Sequence, residues 1–185
     1  MYRAWCCDGI KALMQLRLPP IMQIAYLVED LDAAMRHWAE TLRVGPFFVF
    51  PHVDYVDATY MGEASKPDIS LAFAFSGELQ IELVQQHNDA PSIFRAFHLR
   101  HGYGAQHLGA ISDELEVDAR NLETAGVRPI QRLLSRSGAE TLFFSTALVP
   151  GETLELIRGS SGLHERFAAM KRAAREWDGV TPRAQ

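Results

Sequence analysis

The first apolar run, residues 23–28, is short and β-prone, and Glu29-Asp30-Leu31-Asp32 follows it as a helix start. Asp30 or Asp32 supplies the capping side chain. Leu31, Ala34, Met35, Trp38 and Leu42 then fall on one helical face, and Val44-Gly45-Pro46 stops the helix. An aromatic strand at 47–50 comes next, followed by a polar stretch containing Gly62, Ser65 and Pro67. Strands at 69–75 and 79–84, separated by the turn Ser76-Gly77-Glu78, complete the order β-α-β-β-β.

The second half repeats that order. His107-Leu108-Gly109-Ala110-Ile111 is its first strand, and Asp113-Glu114-Leu115 opens its helix. Glu123-Thr124-Ala125-Gly126-Val127-Arg128-Pro129 parallels Glu40-Thr41-Leu42-Arg43-Val44-Gly45-Pro46, with one gap between the two alignments. Strands at 130–134, 141–145 and 152–157 follow, and Leu154-Glu155-Leu156-Ile157 matches Ile81-Glu82-Leu83-Val84. Short strands with one helix per module predict an α+β fold. Two tandem βαβββ modules, as curled mixed sheets side by side, would enclose a cleft. The domain spans 22–158: module one at 22–85, a linker at 86–105 with a short helix over 91–99, and module two at 106–158. Residues 1–21 read as an N-terminal extension. Residues 159–185 read as a helix and tail, because Leu163, Phe167, Met170 and Ala174 recur at helical spacing as a packing or dimer face.

Composition narrows the class without naming a chemistry. The chain has 185 residues, 48% hydrophobic and 22% charged, enough to bury a core without staples. Eighteen Lys and Arg against 23 Asp and Glu give a net charge of −5, which offers no footprint for nucleic acid. No apolar run approaches the roughly 20 residues of a membrane helix. Cys6 and Cys7 are adjacent and poorly placed to bridge each other, and Asp8, Lys11 and Arg17 interrupt any secretory apolar segment. The expected location is the cytoplasm.

Four polar side chains occupy repeat-equivalent places in otherwise apolar strands. Gln23 and His107 begin the first strand of each module, and Glu82 and Glu155 sit in the middle of each fourth strand. Each glutamate alternates with its apolar neighbours and so points to the opposite face of the sheet. Any one of the four, alone, reads as a solvent-facing or backbone-satisfying residue. Together they read as a metal site, since two glutamates facing a dry cleft need a compensating cation. An amide, an imidazole and two carboxylates suit a first-row divalent metal, with zinc, nickel, cobalt and manganese all compatible.

The segments MQIAYLVEDLDAAMRHW, LQIELVQ, APSIFRAF, GYGAQHLGAIS and ETLELIRG resemble the vicinal oxygen chelate superfamily over residues 22–158. That superfamily includes glyoxalase I, methylmalonyl-CoA epimerase, extradiol dioxygenases and antibiotic-resistance proteins. The resemblance is to the epimerase and glyoxalase-like branch and implies one divalent metal held by Gln23, Glu82, His107 and Glu155. Epimerases commonly have His where this chain has Gln23, and Gln there is similar to the eukaryotic type of glyoxalase I. Gln23 also counts against the two-His, one-carboxylate iron site of an extradiol dioxygenase.

The resemblance implies an isomerase, epimerase or lyase that abstracts a proton next to a carbonyl and stabilises an enolate on the metal. Glu82 or Glu155 would be the base, and His107 a ligand. The alternative is a non-catalytic small-molecule binder of the bleomycin-resistance type, in which the metal ligands are usually missing. A small-molecule substrate of fairly apolar character is expected. Phe47, Phe48, Phe50, Tyr55, Tyr60, Phe73, Phe75, Phe143 and Phe144 crowd the strands, with alternate rings facing the cleft. Arg43, Arg128, Arg132 and Arg136 are the cations considered for an acidic substrate. His37, His87, His98, His101 and His164 read as surface or gate residues. Exposed sheet edges make a homodimer the expected assembly.

Overall fold

A computed structural model describes residues 18–145 and 153–184; Cys6, Cys7, Met14 and the expected strand start at Glu152 lie outside the described residues. Module one contributes β1 (Gln23–Leu27), α1 (Leu31–Leu42) and β2 (Phe48–Phe50). The strands β3 (Tyr55–Tyr60), β4 (Glu63–Ala64), β5 (Ile69–Ser76) and β6 (Leu79–Gln86) follow. The connecting helix α2 (Ile93–His101) leads to β7 (Gly104–Ser112), α3 (Leu115–Thr124), β8 (Pro129–Ser135), β9 (Glu140–Ser145) and β10 (Thr153–Arg158). The last helix is α4 (Ser161–Glu176). The fold is mixed α+β, a curled open sheet with four helices among the described residues.

Local chemistry sets the helix starts. Asp30, rather than Asp32, caps α1, its Oδ1 accepting from Ala33 N at 2.9 Å. Ser92 caps α2 and Ser160 caps α4 through their hydroxyls. Glu114 precedes α3 with no side-chain cap.

All ten strands among the described residues join one sheet in the order β2-β5-β6-β1-β7-β10-β9-β8-β3-β4. The first and fourth strands of each module pair in parallel, β1 with β6 and β7 with β10. The modules meet through the antiparallel pair β1–β7, so a pseudo-two-fold axis passes between these two strands. The polar stretch after β2 departs from the sequence expectation. Its β3–β4 hairpin leaves its own module and lengthens the other, Tyr55 pairing with Ser135 and Tyr60 with Gln131 of β8. Polarity hid these strands, because β3 is half-exposed with only Ala58 buried.

The two faces of the sheet are packed differently. On the convex face, Leu31 and Met35 of α1 pack on Ala72, Ala74, Ile81 and Leu83. Leu115, Ala119 and Leu122 of α3 pack on Ala110, Leu154 and Leu156. The concave face has two further cores, one at either side of the cleft. Ile93 and Phe94 of α2 join Leu27, Val84, Leu133 and Phe143. Phe167 and Met170 of α4 join Phe75, Phe73 and Ile111. The sequence predicts the linker helix and the C-terminal helix as well as one helix per module; the structure places those two over the concave face.

Candidate metal centre

Two rows of residues cross the central strands on the concave face. In one, Glu82, Ala25 and His107 are register neighbours; in the other, Gln23, Gly109 and Glu155 are. The pseudo-two-fold relation makes Ala25 and Gly109 equivalent, and each is the small residue between two polar ones. Their size leaves the space that the longer side chains fill. A Cβ on Gly109 would lie 2.6 Å from Gln23 Oε1 and 2.9 Å from its Cδ, closer than real contacts allow.

The structure brings Gln23, Glu82, His107 and Glu155 together, and all four are buried at 5% exposure or less. Atoms of Glu82, His107 and Glu155 able to hold a metal lie within 4.8 Å of one another. Gln23 Nε2 donates to Glu82 Oε2. His107 Nε2 lies 3.1 Å from the same oxygen and 3.3 Å from Glu155 Oε2. On the other side of the ring, His107 Nδ1 lies 2.6 Å from Gln106 Oε1. That amide oxygen can only accept, so Nδ1 carries the proton and Nε2 faces the carboxylates. Gln106 is a residue that strand reading missed, since it is the extra residue of a bulge in β7 opposite Ala25 and Tyr26, outside the regular alternation. Phe94 and Phe143 flank the imidazole, with ring centres 6.2 Å and 5.3 Å from it.

The donor set fits a divalent cation. Gln23 Oε1 is buried without a hydrogen-bond partner among the described residues and Glu155 Oε2 has only the 3.3 Å contact with His107, and both are oxygens of the kind such an ion takes. Burial pushes the Glu82 carboxyl above its usual range, opposed by the His107 hydrogen bond and reinforced by the Glu155 charge. Burial pulls the His107 imidazolium down, but the hydrogen bonds and charges of Glu155 and Glu82 outweigh it and raise the group to about 9. Without a metal, protons therefore hold this site together. A metal must displace them, so zinc affinity is expected to rise from pH 6 to pH 8, about tenfold per pH unit for each proton lost. Isothermal titration in buffers of different ionisation enthalpy checks both the slope and the proton release. A flat profile would contradict the assignment.

Gln23, Glu82 and Glu155 of the cluster line a cavity of about 130 Å³. Phe50, Leu71, Phe73, Leu133, Phe143 and Ile157 supply apolar wall from the sheet, and Leu163, Phe167 and Met170 supply it from α4. Phe50, Tyr55, Phe73 and Phe143 are thus the cleft-facing members of the aromatic set. Phe47 and Phe144 are buried in the helix-packed cores instead, and Phe75 lies under Phe167. Tyr55 reaches this wall only because β3 crosses to β8. Burial, then the charges of Glu82 and Glu155, push its phenol well above the ordinary range, so it stays protonated as a hydrogen-bond donor.

The remaining candidates lie elsewhere. Arg132 is held by Asp57 and Glu140, Arg136 by Asp54, and Arg43 stacks toward Trp177. None of these, nor Arg128, lines the cavity. His164 pairs with Asp113, His98 stacks on Tyr103 and His87 meets Ser70 Oγ at 2.7 Å. His37 approaches Thr41 at 3.5 Å, and His101 packs on Phe97. The cation that does line the cavity is Arg166 of α4, a position masked in the sequence by its place in a charged helix.

Comparison with known proteins agrees with this geometry at the level of fold. A hypothetical protein of Bacillus halodurans C-125 is 17% identical with a TM-score of 0.59, over 78% of this chain and 97% of that one. Methylmalonyl-CoA epimerase of Mycobacterium tuberculosis is 20% identical with a TM-score of 0.55, over 78% and 91%. A Streptomyces coelicolor methylmalonyl-CoA epimerase in complex with 2-nitronate-propionyl-CoA is 17% identical with a TM-score of 0.52, over 78% and 97%. No match was found among curated proteins. A family model matches residues 22–144, well over half of the sequence, and the chain belongs to the Glyoxalase/Bleomycin resistance protein/Dioxygenase superfamily.

Proposed function

We propose that this protein is a metal-dependent isomerase, epimerase or lyase that removes a proton from the carbon next to a carbonyl of a fairly apolar small molecule. The observation that carries the reading is the pair of buried carboxylates, one from each module, meeting one imidazole and lining an apolar cavity. Gln23, Glu82, His107 and Glu155 would hold the divalent metal, whether zinc, nickel, cobalt or manganese. When bound, such an ion supplies Lewis-acid polarisation of a substrate oxygen and so acidifies the adjacent C–H.

The side chains do the rest. Glu82 or Glu155 takes the proton, and burial raises the basicity of the Glu82 carboxylate toward what that step needs. Glu155 has the freer oxygen, because Glu82 Oε2 is already committed to Gln23 and His107. The protonated Tyr55 phenol is the donor available to a developing negative charge on the substrate. Phe73, Phe143 and Phe167 keep bulk water from the reacting carbon. A homodimeric assembly in the cytoplasm completes the reading, with β2 and β4 as the free sheet edges.

The test is exchange of an α-proton with deuterated water by the zinc-loaded protein, screened over α-acidic carbonyl compounds by proton NMR. Exchange that requires the metal supports the enzyme. Ligand binding that survives chelation, with no exchange and no metal uptake, would instead favour a sequestering protein.

A further inference from the structure

The largely apolar lining of the cavity carries acidic groups on the sheet and one basic group on α4. The acidic groups are Glu82 and Glu155, each 5% exposed or less, whereas Arg166 lines the cavity from the exposed surface of α4. Arg166 is the single Lys or Arg among the lining residues described. None of the ion pairs among the described residues includes it. Its own helix cannot neutralise it either, for the positions three and four residues away are Gly162, Leu163, Ala169 and Met170. Neighbouring cations on α4 differ in this respect: Lys171 and Arg175 both reach Glu78.

Charge accounting then points outward. A divalent cation between Glu82 and Glu155 cancels two carboxylates, which leaves the guanidinium as the uncompensated charge of the cavity. An exposed guanidinium lining an apolar cavity, with no ion-pair partner among the described residues, is matched by a planar or tetrahedral oxyanion. Helix α4 holds it there rigidly, since Phe167 and Met170 on the adjoining face are buried against Phe73, Phe75 and Ile111.

We infer that Arg166 is a specificity-determining residue, anchoring an anionic group at the outer end of a substrate whose carbonyl end lies at the Glu–His–Glu cluster. The substrate class is narrowed accordingly to an α-acidic carbonyl compound with a compact apolar body and a distal carboxylate, sulfonate or phosphate. The inference rests on the proposed function for the inner end of the ligand, and on the cavity alone for the outer end.

The experiment compares naphthalene-2-sulfonate with 2-naphthalenemethanol, which share a ring system and differ in charge. Binding is measured by calorimetry on the full chain, both zinc-treated and chelated. Wild type is expected to prefer the sulfonate by about tenfold, the scale of one charge-assisted hydrogen bond. Arg166→Ala should abolish the preference, Arg166→Glu should reverse it and Arg166→Lys should retain most of it. Melting temperatures should stay unchanged, because the residue is exposed and in no ion pair among the described residues. A wild type without preference, or a preference that persists in Arg166→Ala, overturns the anchor. Failure of zinc uptake with a preference that still follows residue 166 overturns the metal reading and leaves the anchor standing.

Discussion

Replacing Glu155 with Gln is expected to weaken zinc binding by about 3–5 kcal/mol, roughly a hundredfold to several-thousandfold, and to abolish α-proton exchange. Glu82→Gln is expected to do the same. The two variants should part company when the metal is chelated. Two buried carboxylates share one imidazole, and Glu155 is the more weakly held at 3.3 Å from His107 Nε2, so neutralising it removes the excess charge and its repulsion with Glu82. Glu155→Gln should therefore melt higher than wild type in chelator, by about 1 kcal/mol or roughly 2–4 °C. Glu82 accepts from Gln23 and faces His107, so Glu82→Gln should show no such gain. Calorimetric zinc titration and thermal melts with and without chelator measure both signs. A chelated Glu155→Gln that melts below wild type would show that the carboxylate serves packing, not cation binding.

The second large effect is expected at Phe167. Its ring centre lies 6.0 Å from Phe75 at an edge-on angle and 6.5 Å from Phe73. Truncation to Ala keeps helix propensity but leaves a hole between α4 and β5, at a cost of about 3 kcal/mol. The melting temperature should fall by roughly 6–12 °C if α4 unfolds with the rest of the chain. Removal of the exposed Glu78, which pairs with Lys171 at 2.7 Å and Arg175 at 3.3 Å, should leave the melt almost unmoved, because surface ion pairs are screened. Amide exchange over 161–176 distinguishes local release of α4 from global unfolding. Since Phe167 also lines the cavity, the same variant should admit water to the site and lower the exchange rate of substrate.

Much of the centre was legible because a repeat constrains twice. Gln23 with His107, and Glu82 with Glu155, stand out as polar residues at matching places in apolar strands, and strand alternation turns them to one face. Alternation says nothing about what flanks a face, however. Ala25 and Gly109 look ordinary in sequence, and only the strand register shows that each is the gap between two longer polar side chains. Gln106 was hidden for a similar reason: its role depends on which nitrogen of the neighbouring His107 faces the site.

The β3–β4 hairpin escaped because long-range pairing leaves little local mark. Its strands are short, β3 half-exposed and β4 exposed, and β3 joins β8 of the other module rather than the strands of its own. Tyr55 was therefore visible as an aromatic residue but not as a neighbour of Glu82 and Glu155. The amphipathic stripe of α4 was equally visible as Leu163, Phe167, Met170 and Ala174. The stripe specifies that a face is buried, while the surface it is buried against depends on where the chain returns after β10.

By itself, then, the sequence determined the two-module architecture, the convex helices and the identity of four converging polar residues, because those follow from periodicity and from repetition. Tertiary structure alone decided that one sheet runs through both modules, that a hairpin crosses between them, and that α4 covers the concave face with Arg166 at its edge. The physical reason is that strand pairing and helix docking are set by surfaces brought together across long chain separations, and those surfaces exist only once the chain has folded.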